Sequence, residues 1–165
     1  MATHRIEIGP EGCTPDTTGR CFFSTYDVYA SNDVFRQPVA VFNDPGGGEA
    51  HGIHGTFDVP ANYAGTPVIE TVWTATATSG NCKWDFDYRA VGGDDAESLD
   101  QATFQEALTV TDAAPTATDR RMVPTLPMTA GNLAAGDTVE FYLTREDGAG
   151  TDTMAAPATV HKLRF

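Results

Sequence analysis

Ten residues, C82-K-W-D-F-D-Y-R-A-V91, constrain this chain more than any other stretch. Cys82, Trp84, Phe86, Tyr88 and Ala90 fall on one phase of a two-residue period, and Lys83, Asp85, Asp87 and Arg89 on the other. In a strand, successive side chains point to opposite faces, so this run makes one aromatic face and one charged face. The sequence therefore predicts a central strand whose aromatic face builds a core. Its outer charges alternate in sign, which suits a solvated face or cross-strand ion pairs. The preceding run, residues 68–78, V-I-E-T-V-W-T-A-T-A-T, reads as a long strand, and S79-G80-N81 as a turn. Together they predict a β-hairpin over 70–90.

The rest of the chain repeats this grammar. Thr, with 23 copies, is the commonest polar residue, and Gly, Pro and Asp punctuate the sequence about every ten residues. Thr and aromatics suit pleated, half-buried surfaces, while Gly, Pro and Asp suit turns. Further strands are predicted at 21–30, 37–43, 51–59, 104–111, 120–129, 137–145 and 158–165. Pro124 and Pro127 make the 120–129 strand an edge or bulged one, because proline removes a ladder donor. Short links between short strands predict an all-β, antiparallel β-sandwich, jelly-roll-like, of about eight strands. Residues 1–20 show little apolar pattern and read as an extended N-terminal arm or tail, ordered on a neighbouring subunit or disordered, with 21–165 as a single β-sandwich domain. A chain of 165 residues is long enough to bury a core of its own.

Charge narrows the partners. Ten basic against 23 acidic residues give a formal charge of −13, and Lys83 and Lys162 are the only lysines. Such a chain repels phosphate backbones, so no nucleic-acid partner is expected. No stretch approaches the length of a membrane span, so no membrane partner is expected either. The opening M-A-T-H-R-I-E-I-G-P has no apolar signal-peptide core, which predicts a chain made in the cytoplasm and not exported by that route. Cys13, Cys21 and Cys82 are an odd count. Cys13 and Cys21 enclose a short loop and are able to pair, but three free thiols is the favoured reading, with Cys82 a small buried hydrophobe.

Candidate chemistry is sparse. His51 and His54 are possible zinc or copper ligands, but strand positions three apart face opposite ways unless a turn intervenes. Asp94, Asp95, Glu97 and Asp100 supply oxygen ligands of the kind calcium uses, without the D-x-D-x-D-G spacing; a solvated loop is the expectation. Asp147 and Asp152 are a weaker candidate of the same kind. In the 94–100 region Ser98 is placed to cap a short helical turn. Asp85 and Asp87 share a strand face at a separation of about 7 Å, near that of glycosidase carboxylates, but Lys83 and Arg89 beside them oppose a general-acid role. The sequence has neither a G-x-S-x-G elbow nor a phosphate-binding G-K-[ST] loop. No catalytic, cofactor or metal residue is assigned, and no enzyme is expected.

The run T71-V-W-T-A-T-A-T-S-G-N-C-K-W-D-F-D-Y-R-A90, then F104-Q-E-A-L-T-V-T-D112, L133-A-A-G-D-T-V-E-F-Y-L-T-R-E-D147 and the closing strand 153–165 resembles the small jelly-roll virion proteins of tailed bacteriophages. The resemblance covers about residues 53–165, with Glu146 interrupting the family's Arg-Asp step. It implies a non-enzymatic virion structural protein, foremost a head decoration protein that binds and stabilises the capsid exterior. The implied location is the virion, and the implied partners are the major capsid protein or other virion proteins, in a homo-oligomer with a trimer favoured. A tail or fibre component that binds a host surface is a variant of this reading, for which an exposed end-loop aromatic such as Tyr63 would speak. A carbohydrate-binding β-sandwich module is the alternative from another class; against it, most aromatics here fall on core phases.

Overall fold

The computed structural model describes residues 5–16, 21–26, 36–43, 51–92, 98, 100, 103–145 and 150–165. Among these are eleven strands and two short 3-10 turns: β1 (Glu7–Ile8), β2 (Cys13–Pro15), β3 (Cys21–Tyr26), β4 (Gln37–Phe42), β5 (His51–Asp58), β6 (Val68–Ala75), β7 (Asn81–Val91), β8 (Glu106–Ala113), β9 (Thr125–Pro127), β10 (Thr138–Arg145) and β11 (Ala158–Arg164). One antiparallel sheet runs β3-β4-β11-β6-β9, with β1 also on β11; the other runs β2-β5-β10-β7-β8. We call them the front and back sheet. From β4 onward every connection except β7–β8 passes from one sheet to the other. The eight strands β4 to β11 so arranged form a jelly roll, as the turn spacing predicts.

The core lies between the sheets. Along β7, burial alternates strictly, and Cys82, Trp84, Phe86, Tyr88 and Ala90 are all buried. Trp84 meets Trp73 of the front sheet edge-on at 5.6 Å between ring centroids, and Phe42 of the same sheet at 5.2 Å. Phe86 stacks on Phe141 of β10 at 5.3 Å. Edge-on and offset ring pairs gain a little beyond the area they bury.

The predicted hairpin over 70–90 is not formed. β6 lies in the front sheet between β11 and β9, and β7 in the back sheet between β10 and β8. The link 76–80 crosses the sandwich, with Gly80 at φ 91° close against the backbone of Thr153 and Met154. Trp73 and Trp84 explain the outcome: as facing members of two sheets they bury each other, whereas in a hairpin both would crowd one face. The proline-broken strand is an edge, as expected: only Thr125–Pro127 pairs with β6, followed upstream by a single bridge from Met122 to Trp73.

The N-terminal stretch differs from the expected arm on a neighbour or tail. Over its described part, residues 5–16, it is laid into this chain's own sheets. Glu7 and Ile8 pair with Arg164 and Leu163, a 3-10 turn follows at Pro10–Gly12, and Cys13–Pro15 pair with Gly55, His54 and Ile53. Ile8 is buried in the core, a small apolar signal hidden among Gly, Pro and Thr.

Candidate functional site

Alternation along β5, β10 and β7 sends one phase into the core and the other onto the outer face of the back sheet. Register places Tyr142 between His54 of β5 and Asp87 of β7, and Glu140 between Thr56 and Arg89. The His54 and Tyr142 rings stack at 4.2 Å with their planes 9° apart. Tyr142 leans over Gly52, where a Cβ would fall 2.1 Å from its ring. Its hydroxyl donates to Asp16 Oδ2 at 3.2 Å, and the same oxygen accepts the Gly52 N–H at 3.0 Å. Burial, with the charge and the hydrogen bond of Asp16, pushes the Tyr142 phenol up to about 12, so it is a neutral donor at physiological pH. Beside it Arg89 Nε donates to Glu140 Oε2 at 2.5 Å. Phe104, just before β8, is 57% exposed.

These groups line two adjoining shallow hollows. One, of about 300 Å³, includes His54, Asp87, Arg89, Phe104, Glu140 and Tyr142. The other, of about 380 Å³, continues past His54 and Glu140 to Thr56, Thr14 and Gly12. The result is a strip crossing the strands, with aromatic faces beside paired charges and hydroxyls. Flat rings with polar neighbours suit a ligand that is itself apolar on its faces and polar at its rim.

Of the residues singled out from the sequence, the structure brings His54 and Asp87 to one hollow. β5 runs unbroken through positions 51 and 54, with no turn to bring them to one side, and His54 is engaged with Tyr142. Among the described residues no group of His, Cys, Asp or Glu is arranged to hold a metal. Of the acidic loop, Asp94, Asp95 and Glu97 lie outside the described residues, and Asp100 is exposed. Ser98 Oγ accepts the Asp100 N–H at 3.1 Å, and residues 99, 101 and 102 of the expected turn lie outside the described residues. Asp147 lies outside the described residues.

Asp152 is no cation ligand. Its carboxylate is clamped by the buried Arg145, from Nε and Nη2 at 2.8 Å each, and also accepts the Lys83 N–H at 3.0 Å. Asp85 and Asp87 do share the outer face, but Lys83 Nζ stands 3.2 Å from Asp85, and Thr109 donates to the same side chain. A carboxylate so engaged is a poor proton donor. Tyr63 is only half-exposed and packs 6.3 Å from the Phe165 ring, so it is not an end-loop aromatic on display. Cys13, Cys21 and Cys82 are free thiols. Burial pushes Cys13 up to about 11 and Cys21 up to about 12, which leaves little thiolate for reaction.

The strip itself was missed. Its signal is the aromatic on the wrong phase: Tyr142 shares the outer phase of β10 with Thr138 and Glu140. Phe104 was hidden because the strand begins at Glu106, two residues later than its alternation suggests.

No known family model and no curated protein matches the chain. Solved structures do. The chain is similar to a family 35 carbohydrate binding module from Clostridium thermocellum, at 10% identity, over 98% of this chain and 97% of that one, with a TM-score of 0.57. It is similar to a carbohydrate binding module from Cellvibrio mixtus lichenase 5A in complex with cellotriose, at 11% identity, over 96% and 94%, with a TM-score of 0.51. It also matches part of a cycloisomaltooligosaccharide glucanotransferase from Paenibacillus sp., at 11% identity, over 96% of this chain and 18% of that one, with a TM-score of 0.52. At these identities the likeness establishes the β-sandwich fold.

Proposed function

We propose that this chain is a non-catalytic glycan-binding β-sandwich, and that it binds through the outer face of the back sheet. The observation that carries the reading is the strip itself: the stacked His54 and Tyr142 rings and the exposed Phe104, set beside the Arg89–Glu140 pair. Sugar rings present C–H groups on their faces and hydroxyls at their rims. Aromatic planes meet the former, and carboxylate, guanidinium and Thr hydroxyls meet the latter. The similarity over nearly the whole length to two carbohydrate binding modules supports the reading at the level of fold.

The virion reading, with a capsid protein as partner and a trimeric assembly, rests on strand patterns such as 71–90 and 133–147. Those patterns encode a jelly roll, and the glycan-binding structures above share the sandwich they build, so they do not discriminate between the two. The strip favours the glycan-binding reading, because aromatic faces beside paired charges and hydroxyls suit the faces and rim of a sugar.

The test is a glycan array with the full chain and with the His54→Ala/Phe104→Ala double variant. Both side chains are exposed, so the variant should melt within a few degrees of the parent. Specific binding by the parent and its loss in the variant support the proposal. Equal binding by both would move the site elsewhere, and no binding by the parent would end the glycan reading.

A further inference from the structure

The shape and charge of the strip say more than that it binds a sugar. Its lining runs from Gly12 at the end of the 3-10 turn and Thr14 on β2, over β5, β10 and β7, to Thr103 and Phe104. From β2 to β7 are three strand intervals, about 14 Å at the usual spacing of antiparallel neighbours. Both hollows are shallow and open to solvent, and they share His54, Glu140 and Phe141 as their common wall. A single ring would fill one hollow and leave the other in water. Linked rings lying flat across the strands would cover both.

The charge is lopsided. Among the described residues, the outer face of the back sheet carries Asp16, Asp58, Asp85, Asp87 and Glu140 against Lys83 and Arg89. Lys83 Nζ stands 3.2 Å from Asp85, and Arg89 Nη2 stands 2.5 Å from Glu140. Carboxylates outnumber bases on this face, which makes it net acidic, and the whole chain carries −13. Within a screening length of about 8 Å at physiological salt, a polyuronate or sulfated chain would meet like charge along the strip. Hydroxyl groups instead find acceptors in the carboxylates and donors in Arg89, Thr14 and Thr56.

On the glycan-binding reading above, we propose that the strip takes an internal segment of an uncharged linear polysaccharide, lying across the strands rather than along them. The His54–Tyr142 stack is the central platform, and Phe104 supports the ring at the β8 end. The acidic surround excludes acidic polysaccharides.

The experiment is a microarray of soluble polysaccharides probed with the full chain. It carries neutral polymers (hydroxyethyl cellulose, arabinoxylan, galactomannan, laminarin) and acidic ones (polygalacturonate, alginate, chondroitin sulfate). Calorimetry then follows with an oligosaccharide ladder of whichever polymer is retained. The expected result is binding to a neutral polymer alone, with affinity rising by about tenfold or more from the disaccharide to the hexasaccharide. The Asp87→Asn/Glu140→Gln double variant, matched to the parent in melting temperature, is expected to gain binding to polygalacturonate. Parent binding to acidic polymers would overturn the charge argument while leaving the glycan reading in place. Affinity already saturated at the mono- or disaccharide would overturn the internal-segment argument in the same way. Silence on every carbohydrate would overturn both readings together.

Discussion

At the scale of single residues, Asp152, a candidate cation ligand in the sequence, is structural. Asp152 is one more acid in a Gly- and Thr-rich loop until Arg145 is seen beneath it, wholly buried, holding both carboxylate oxygens and donating to the carbonyls of Met154 and Ala156. No local pattern marks such a pair, because its members meet only when the 150–157 segment folds back over the end of β10. Removing one partner strands a buried charge, so Asp152→Ala should cost about 3–5 kcal/mol in urea unfolding. The Arg145→Met/Asp152→Leu double variant should recover most of that loss, because apolar packing replaces a desolvated pair at little net cost. His161, at the irregular point in the β11–β6 pairing, gives a pH signature. Burial, and then the charge of Lys162, hold its imidazole below the usual histidine value. The unfolded chain takes up that proton at about pH 6.5, and the folded chain only at lower pH. This contribution to stability is therefore fully present above about pH 6.5 and is lost as pH falls through the folded value. Urea midpoints at pH 7.5 and 5.5 should differ less in His161→Gln than in the parent.

At the scale of elements, alternation carried most of the information. Nine strands stand where period-two runs and Gly, Pro and Asp punctuation put them, and β7 keeps its alternation along its whole length. Pairing was less legible. The 76–80 link reads as a hairpin turn because its composition is that of a turn, yet the same residues serve a crossing between sheets, and only the opposed tryptophans decide which. Outer-face detail was harder still, since an aromatic on the solvent phase looks like a lapse in the pattern. Gly52 illustrates this. In the sequence it is a weak point in a strand; in the fold it is the floor that lets Tyr142 lie down and reach Asp16. Gly52→Ala should lift the ring, and because the obstructed atoms are the far end of a mobile side chain, the fold should lose only about 1 kcal/mol. Glycan affinity should fall by about tenfold, near 1.4 kcal/mol, as the platform beside His54 is lost. Calorimetric affinity and melting temperature, measured on the same sample, separate the two effects. A large loss of melting temperature with unchanged affinity would show that Gly52 supports packing and not the platform.

At the scale of the whole molecule, the two ends of the described chain close on each other. β1 pairs with the last turns of β11, Ile6 and Phe165 exchange backbone hydrogen bonds at 2.8 and 3.0 Å, and Glu7 meets Lys162 at 2.8 Å and Arg164 at 3.2 Å. Phe165 in turn packs 4.8 Å from Phe57, so the C-terminal ring is held in the core rim by a strand from the opposite terminus. A reading of residues 1–20 as a detachable arm makes a different prediction from this geometry. If the segment served a neighbouring subunit, deleting residues 1–9 would leave the melting temperature of the isolated chain unchanged. As a strand of this sandwich, its loss exposes the buried Ile8 site, about 1.5–3 kcal/mol of apolar burial, and removes the two backbone hydrogen bonds between Ile6 and Phe165. In a domain of this size each kcal/mol moves the melting temperature by about 2–4 °C, so a drop of several degrees is expected on deletion, and a smaller one for Ile8→Ala alone. The back-sheet strip does not involve β1, so the truncated chain that remains folded at low temperature should retain glycan binding. Loss of binding along with melting temperature would instead mean that the turn at Pro10–Gly12 and β2 are positioned by β1, and that the β2 end of the strip depends on the closed termini.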